Sequence, residues 1–436
     1  MKTDELILYR NPAHKELVEA MAALIDAAGT GVCGGQMEAD ETEAAPDRFQ
    51  TAGELVEFAA AHGFKGNLWH SLLAYVLATN ENAFSMACEI RGRVKGTVNT
   101  LAEHDFSLFR EWFSFDLARL DLSGVPLFGL LKTYESTGTH STVFNRRIRD
   151  NIQELAGALA AAETDQEWNR IIAEFYRRFG VGKFGLHKAF RVEQKDEEAL
   201  IVPIKNIEHV YLDDLVGYEA QKKKLVENTE AFVEGREANN CLLFGDSGTG
   251  KSSSIKAILH KYYDQGLRMI EVYKHQFRDL SSIISQIKSR NYKFIIYMDD
   301  LSFEEFEVEY KYLKAIIEGG LEVRPSNILI YATSNRRHLI RENFSDKEEV
   351  REDMHRSDTV QEKLSLASRF GVTIYYGRPE PAQFKEIVVT LAKRAGITMP
   401  EEELLLAANK WELSHGGISG RTAVQFITWL KGTQGA

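Results

Sequence analysis

One stretch of the sequence decides the fold: Cys241-Leu242-Leu243-Phe244-Gly245-Asp246-Ser247-Gly248-Thr249-Gly250-Lys251-Ser252. Its short apolar run is typical of a buried strand, and the glycine-rich loop after it leads into a helix that begins near Ser252. Glycines let successive backbone N–H groups converge on an anion without obstruction by side chains, and the helix N-terminus adds a positive partial charge. The stretch therefore predicts a phosphate-binding loop.

The loop predicts a site for ATP and Mg²⁺. In this pattern the ammonium group of Lys251 reaches the β- and γ-phosphates, and the Ser252 hydroxyl coordinates the metal. Its position between a predicted strand and a predicted helix is the one that the mechanism requires. The loop residues predicted to contact the nucleotide are Gly245, Asp246, Ser247, Gly248, Thr249, Gly250, Lys251, Ser252 and Ser253.

A second motif supplies the carboxylates that such a loop needs. The apolar run from 294 to 298 ends in Asp299 and Asp300. Paired acids at a strand end are equally typical of a solvated loop, but downstream of a phosphate-binding loop they favour a metal site. We expect Asp299 to hold Mg²⁺ through water and Asp300 to orient or polarise the attacking water.

The chain from about Ile201 onward alternates short apolar runs with helical patterns, which predicts βαβ units and a parallel sheet. The fold class is therefore α/β, with a five-stranded parallel sheet flanked by helices. The predicted strands are 241–244, 269–273, 294–298, 328–332 and 372–376. The pattern then becomes wholly helical, which predicts a C-terminal lid with helices at 381–394, 401–411 and 420–430.

The first 200 or so residues carry apolar side chains at three- and four-residue spacing, which predicts a mainly α-helical N-terminal domain of unknown role. The acidic stretch 194–198 is a candidate hinge. The predicted domains are thus 1–200, 201–378 and 379–436. Two other charged segments, 38–43 and 341–356, are expected to be a solvated loop and a solvated insertion.

Composition excludes several classes of function. A net charge of −11 would repel nucleic-acid phosphates and anionic lipid surfaces, so contact with nucleic acid would need a local basic patch. The three cysteines lack the spacing of a zinc site or disulfide framework, which suits a reducing cytoplasm. Residues 1–6 lack the basic segment and apolar core of an export signal, and no apolar run approaches the ~20 residues of a membrane span, so we expect a cytoplasmic protein without membrane contact.

Together these motifs resemble the AAA+ ATPases of the P-loop NTPase superfamily. The sequence Asp-Asp-Leu-Ser-Phe-Glu at residues 299–304 further resembles that of a little-characterised AAA+ family known only as a domain of unknown function. Over about half of the chain, the resemblance implies three catalytic residues beside Asp300. Asn335 would sense the γ-phosphate, Arg369 would be an arginine finger, and Arg421 would be the sensor arginine of the lid.

The resemblance also places Val216 and Gly217 against the adenine base. Each assignment has a structural alternative. Asn335 can cap a following helix, and Arg369 can be a surface arginine paired with an acid. Arg421 can be an ordinary early-helix residue, although a cation is mildly unfavourable there.

An arginine finger that serves the neighbouring subunit would make hydrolysis depend on assembly, so the resemblance implies a homo-oligomeric ring, with six subunits as the family number. One residue departs from the family pattern. Asp300 stands where AAA+ ATPases usually have Glu, and its shorter side chain reaches less far towards water. Hydrolysis is then slow, or a nearby acid such as Glu304 compensates.

Three functions remain open at this point. The first is an ATP-hydrolysing machine that remodels or loads an unidentified protein or nucleic-acid client. The second is an ATP-operated switch or scaffold with little hydrolysis, which the Asp300 departure keeps open. The third is a P-loop kinase or another small-molecule phosphotransferase, which would not need Arg369 or Arg421.

Overall fold

The structure is a computed structural model that describes residues 3–29, 46–122, 125–135, 145–196, 198–204, 207–303, 307, 309–318, 325–336, 339 and 366–434. The segments 38–43 and 341–356 lie outside the described residues. The chain divides into two compact units, Met1–His187 and Lys188–Ala436. Each is described by itself.

The N-terminal unit is helical, as predicted. Its core is aromatic, with Trp69, Trp112 and Trp168 all buried, and the indole N–H of Trp69 donates to the carbonyl of Trp112 at 2.9 Å. Its described helices are α1 (Lys15–Gly29), α2 (Arg48–His62), α3 (Leu68–Thr79), α4 (Ala83–Cys88), α5 (Val98–Ser114), α6 (Leu127–Lys132), α7 (Arg146–Ala161), α8 (Asp165–Phe179) and α9 (Gly182–Leu186).

Several helices of this unit begin at a residue whose side chain caps the helix. Asn67 accepts the backbone N–H of His70 at the start of α3, and Thr164 forms a capping box with Glu167 at the start of α8. Such caps satisfy backbone donors that have no partner within the helix. They explain from local sequence why these helices begin where they do.

The C-terminal unit is built on one sheet of seven described strands in the order β2-β1-β4-β5-β6-β3-β7. All neighbours are parallel except the β1–β2 pair. The strands are β1 (Ala189–Lys195), β2 (Glu198–Pro203), β3 (Cys241–Gly245), β4 (Leu267–Glu271), β5 (Lys293–Met298), β6 (Ile328–Ser334) and β7 (Val372–Tyr376). The helices interspersed among them are α10 (Glu219–Val233), α11 (Lys251–Tyr262), α12 (Leu280–Ile287) and α13 (Glu309–Glu318).

The strand β3 occupies the interior of the sheet, between β6 and β7. Every residue of β6 is buried, which is expected for a parallel strand covered on both faces. The register pairs Met298 of β5 with Ala332 of β6, and Leu243 of β3 with Thr333. The carboxyl ends of three neighbouring strands therefore meet at one edge of the sheet.

The helical lid follows the sheet, as predicted. It consists of α14 (Pro381–Arg394), α15 (Glu401–Ser414) and α16 (Gly420–Gln434). Their apolar faces share one core, which includes Phe384, Leu404 and Phe426. The lid touches the phosphate-binding loop directly, because the backbone N–H of Arg421 donates to the carbonyl of Gly248 at 3.2 Å.

The five predicted strands are confirmed, each within a few residues of its predicted bounds, and the sheet has two further strands, β1 and β2. The candidate hinge at 194–198 lies at the turn of this hairpin, where Lys195 pairs with Glu198. Because β1 also pairs with β4, the hairpin belongs to the C-terminal unit. The division of the chain therefore falls after His187 rather than after residue 200.

Candidate nucleotide-binding site

The loop between β3 and α11 has the backbone conformation that its glycines permit. Gly245 and Gly248 have φ angles of 134° and 75°, values that side chains disfavour. A Cβ on Gly245 would collide with the carbonyl oxygen of Tyr376, and one on Gly248 would lie 3.0 Å from the Arg421 side chain. The loop is thus packed between β7 and the lid, and bulkier residues do not fit at either position.

Lys251 is the first residue of α11, and its ammonium group lies inside the loop. It donates to the carbonyls of Gly245 at 2.9 Å and Asp246 at 2.6 Å, and to Asn335 Oδ1 at 3.0 Å. Burial lowers the pKa of Lys251, while the carboxylate of Asp300 acts in the opposite direction. The ammonium group is therefore held by main-chain oxygens in the centre of the predicted phosphate site.

Ser252 and Asp299 meet as predicted for a metal site. The Ser252 hydroxyl donates to Asp299 Oδ1 at 2.7 Å, and the Thr333 hydroxyl donates to the same oxygen at 2.6 Å. Partial burial alone would raise the pKa of Asp299, but these hydrogen bonds outweigh it, so that the pKa lies below its usual value. The carboxylate therefore remains ionised, as a magnesium-shell ligand must.

Asp300 and Asn335 form the second polar pair. The Asn335 amide donates to Asp300 Oδ1 at 2.7 Å while its oxygen accepts from Lys251. Asp300 has a left-handed backbone, with φ of 49°, and its N–H donates to the Thr333 hydroxyl at 2.9 Å. Asn335 therefore connects the lysine to the carboxylate across the cleft. Glu304, the acid considered as a substitute for Asp300, lies outside the described residues.

The sequence interpretation missed two residues on this side. Thr333 links Asp299 to the backbone of Asp300. Tyr297 is 2% exposed, and burial, followed by the nearby charge of Asp299, raises the pKa of its hydroxyl. Their positions in the sequence could have predicted that both residues lie at the site. Thr333 is close to the carboxyl end of a buried strand, and Tyr297 is two residues before Asp299, so the two side chains point to the same face.

The predicted adenine segment lines the opposite side of the cleft. Val216 contributes to the lining together with Ile387 and Leu391 of the lid. Gly217 has φ of 80° and turns the chain into Tyr218. The Tyr218 ring stacks on that of Tyr376 at a centroid distance of 5.2 Å. Val216, Tyr218 and the two lid residues line the cleft and offer apolar surface that suits a flat base, while the buried Tyr376 supports the Tyr218 ring from behind.

The two predicted arginines have different positions. Arg421 lines the cleft, and its guanidinium lies 3.5 Å from the Ser247 hydroxyl. Arg369 does not line the cleft of its own chain; it pairs with Glu318 at the end of α13. Asp246 also points elsewhere, since its carboxylate accepts the backbone N–H of Arg378 at 3.0 Å.

The cleft has a volume of about 590 Å³, within the range of small-molecule pockets. Its lining combines the loop from Ser247 to Ser253, both aspartates, Asn335 and apolar lid residues. Main-chain N–H groups at a helix start fit phosphates, and a hydroxyl with a carboxylate fits Mg²⁺. The residues present therefore fit both groups.

The strand order β4-β5-β6-β3-β7, the loop at the end of β3 and the helical lid define the class. This is an α/β P-loop NTPase core of the AAA+ type, preceded by a helical unit. The family described as "Protein of unknown function (DUF815)" matches residues 185–434, more than half of the chain. The chain belongs to that family, as the resemblance in the sequence implied.

Comparison with solved structures returns matches of low similarity. A mutant of Thermotoga maritima RuvB is 17% identical over 52% of this chain and 66% of that chain, with a TM-score of 0.37. The T. maritima RuvB Holliday junction branch migration motor is 16% identical over 51% and 72%, with a TM-score of 0.32. This chain spans 65% of the first matched RuvB structure. The fold assignment rests on strand order, not on these alignments.

The comparison with curated proteins gave no match. Within the described part of the chain, none of the helices has the length and apolar character needed to cross a bilayer.

Proposed function

We propose that this protein binds Mg·ATP and hydrolyses it, and that binding and hydrolysis control assembly and the remodelling or loading of a client. One observation carries the proposal. A continuous set of polar contacts surrounds the phosphate-binding loop and is joined between the two aspartates by Thr333. Its other members are Lys251, Ser252, Asp299, Asp300 and Asn335. A structural lysine or aspartate pair would not require this convergence at the carboxyl ends of three strands.

Each polar group at the loop would have a separate role in binding or hydrolysis. Backbone N–H groups from Gly248 to Ser252 would bind the phosphates, and the Lys251 ammonium would leave its carbonyl partners for the β- and γ-phosphate oxygens. Asp300, oriented by the Asn335 amide, would accept a proton from the attacking water. Bound Mg²⁺, held by Ser252 and Asp299, would supply charge neutralisation at the phosphate oxygens.

Arg421 and Arg369 would stabilise charge on the transferred phosphoryl group. Arg421 lies at the loop of its own chain, so it acts in cis. Arg369 lies away from that cleft, which fits a role at the cleft of a neighbouring subunit. We therefore propose a homo-oligomeric ring in which turnover depends on assembly. The resemblance to AAA+ ATPases implies six subunits.

A switch with little hydrolysis is the second candidate, and one observation favours it. The Asp300 carboxylate, already one methylene shorter than Glu, is occupied by the Asn335 amide. Unless nucleotide binding releases that contact, the base is held back from water. Slow turnover would then leave ATP binding, rather than hydrolysis, as the signal.

Isothermal titration calorimetry with Mg·ATP tests the binding step. The wild-type protein is expected to bind, and Lys251→Ala to lose at least about 100-fold in affinity, because a charge-assisted contact to phosphate is removed. Lys261→Ala is the matched control; Lys261 lies on the same helix, does not line the cleft, and has its ammonium group over the Tyr262 ring. Absence of wild-type binding, or equal losses in both variants, would refute the nucleotide site.

Steady-state ATPase assays over a range of protein concentrations separate the remaining functions. Turnover per subunit that rises with concentration supports the assembling ATPase. Binding with negligible turnover supports the switch. Turnover that requires an added small-molecule acceptor would indicate a phosphotransferase, and the proposed function would be withdrawn.

A further inference from the structure

A cleft in the N-terminal unit concentrates arginines on the surface of an otherwise acidic chain. It has a volume of about 420 Å³ and lies between α8 and the segment that follows α4. Its lining residues are Arg91, Gly92, Arg93, Arg170, Ile171, Ala173, Glu174 and Arg177. The four arginines line this cleft together with the apolar side chains of Ile171 and Ala173.

Two structural features position these arginines. Arg170 and Arg177 are seven residues apart on α8, which places them two turns apart on the same face of the helix. On the other side, the stem of Arg177 covers Gly92, where even a Cβ would lie 2.9 Å from Arg177 Cδ. The Ile90 N–H donates to the Tyr176 carbonyl at 3.4 Å, which anchors the segment to the helix.

The segment also contains an unfavourable backbone conformation. Ile90 has φ of 66°, a left-handed conformation that β-branched residues rarely adopt, and its side chain is 39% exposed. Backbone conformations of this kind persist where surrounding contacts impose them, and they concentrate at functional sites. Arg91 and Arg93 follow Ile90 in this turn, on either side of the buried Gly92, and both line the cleft.

Two of the four arginines have carboxylate partners within the unit. Arg177 contacts Glu174 through two hydrogen bonds of 2.7 and 2.5 Å, and Arg93 lies 3.5 Å from Glu103. Neither Arg91 nor Arg170 forms an ion pair or hydrogen bond with the described residues. Backbone hydrogen bonds lower the pKa of Glu167, and Arg170 adds to this effect only through its charge. The cleft thus carries two guanidinium groups that are available to an external anion, beside two that already bind carboxylates.

The chemistry favours a carboxylate-bearing peptide over nucleic acid. A guanidinium group pairs with a carboxylate through two parallel hydrogen bonds, and the apolar floor at Ile171 and Ala173 suits side-chain stems. A long polyanion would in addition face the repulsion of a chain with net charge −11. A short acidic segment extends over less of that negative field, so the repulsion that it meets is smaller.

We propose that the cleft formed by Arg91, Arg93, Arg170 and Arg177 is a docking site for an acidic segment of a client protein. The inference concerns the N-terminal unit and does not depend on nucleotide binding. It assigns a recognition chemistry to the part of the chain for which the sequence showed no motif.

Fluorescence anisotropy with the full-length protein tests this proposal. The probe is a labelled octapeptide with Glu alternating with Ser, compared with the same peptide carrying Gln in place of Glu and with an oligothymidylate of eight nucleotides. We expect the Glu peptide to bind, with affinity falling as salt increases. The double variant R91Q/R170Q is expected to lose about tenfold or more in affinity, since two charge-assisted contacts disappear.

Two further variants complete the design. The double variant R119Q/R178Q removes the same charge from exposed residues outside the cleft, whose guanidinium groups lie over Phe115 and Phe179, and its affinity should stay within about twofold of wild type. The variant R91K/R170K keeps the charge but not the paired donors, so it should bind between wild type and R91Q/R170Q. Thermal melting checks that every variant is folded.

Four results would overturn the proposal. The first is no binding of the Glu peptide by the wild type. The second is equal binding of the Gln peptide. In the third, R119Q/R178Q weakens binding as much as R91Q/R170Q does, which would indicate a general charge effect. In the fourth, the oligothymidylate binds more tightly than the peptide and depends on the same arginines, which would assign the cleft to nucleic acid.

Discussion

The phosphate side of the cleft and Arg369, the proposed arginine finger, differ in where the folding of one chain places them. On the phosphate side, Lys251, Ser252 and Asp299 have their hydrogen-bond partners within the same chain. Arg369 also has its ion-pair partner, Glu318, within the chain, but it does not line that cleft. Folding of one chain brings the groups on the phosphate side together at its cleft. It does not bring Arg369 to the lining of that cleft.

The difference separates binding from turnover. The groups that we propose to hold the phosphates and the metal already converge in one chain, so affinity for nucleotide should not require oligomers. Charge that develops on the transferred phosphoryl group needs an additional cation, which a neighbouring subunit could supply. The predictions below test this separation.

The largest effect is expected for Arg369→Ala. Turnover should fall by about 10³-fold, because an arginine finger is worth 10³–10⁵ in rate, while calorimetric affinity for Mg·ATP should remain within about twofold of wild type. Steady-state ATPase assays at the concentration of maximal wild-type turnover provide the measurement.

Glu318→Gln serves as the counterpart of that variant. It releases Arg369 from its partner but keeps the guanidinium, so turnover should be unchanged or higher. Mixing Arg369→Ala with Lys251→Ala chains should restore activity at mixed interfaces if the finger acts between subunits. No recovery in the mixture, together with loss in Arg369→Ala, would place the arginine's role within its own chain.

Asp300→Asn is expected to have the next largest effect. Removing a general base costs typically 10²–10⁴ in rate, and we expect about 100-fold here because the shorter carboxylate is already a weakened base. Affinity for Mg·ATP should be retained. The same carboxylate-to-amide change at Asp264, an exposed residue outside the cleft, is the control. Unchanged turnover in Asp300→Asn would remove this residue from the mechanism.

A smaller effect is expected for Thr333→Val, which keeps the size of the side chain but removes its hydroxyl. Asp299 would lose its 2.6 Å donor, and loss of such an outer partner costs typically 10–100-fold in metal affinity. We expect about tenfold more Mg²⁺ to be needed for half-maximal nucleotide binding. Thr373→Val on strand β7, which is separated from β6 by β3, should leave this requirement unchanged, and a matching shift there would contradict the role of Thr333.

The sequence predicted those parts of the molecule that depend on local patterns. The loop from Gly245 to Ser252, the strand ends at Asp299 and Asn335, and the lid helices each have a signal within a few residues. A phosphate-binding loop can be predicted in this way because its chemistry requires glycines and a lysine at fixed spacing.

Features that depend on pairing between distant segments were not predictable in the same way. The Arg369–Glu318 pair joins residues about fifty positions apart, and the register that brings Thr333 to Asp299 follows from strand order. The acidic stretch 194–198 predicts a hinge because its composition is typical of a solvated loop, but it lies at the turn of the hairpin β1–β2. Only its pairing with β4 shows that it extends the sheet.

The smallest expected effect concerns the free protein and the charge of Asp299. Because the folded-state pKa of Asp299 lies below its ordinary value, its ionised form stabilises the fold at pH values above about 4. That contribution, less than about 1 kcal/mol for a partly exposed group, should be lost as pH falls through the folded-state pKa. The melting temperatures of wild type and Asp299→Asn should therefore differ at neutral pH and converge on acidification. A difference that widened towards low pH would mean that folding disfavours this charge, and the phosphate side would then lack the preformed metal ligand that distinguishes it from Arg369.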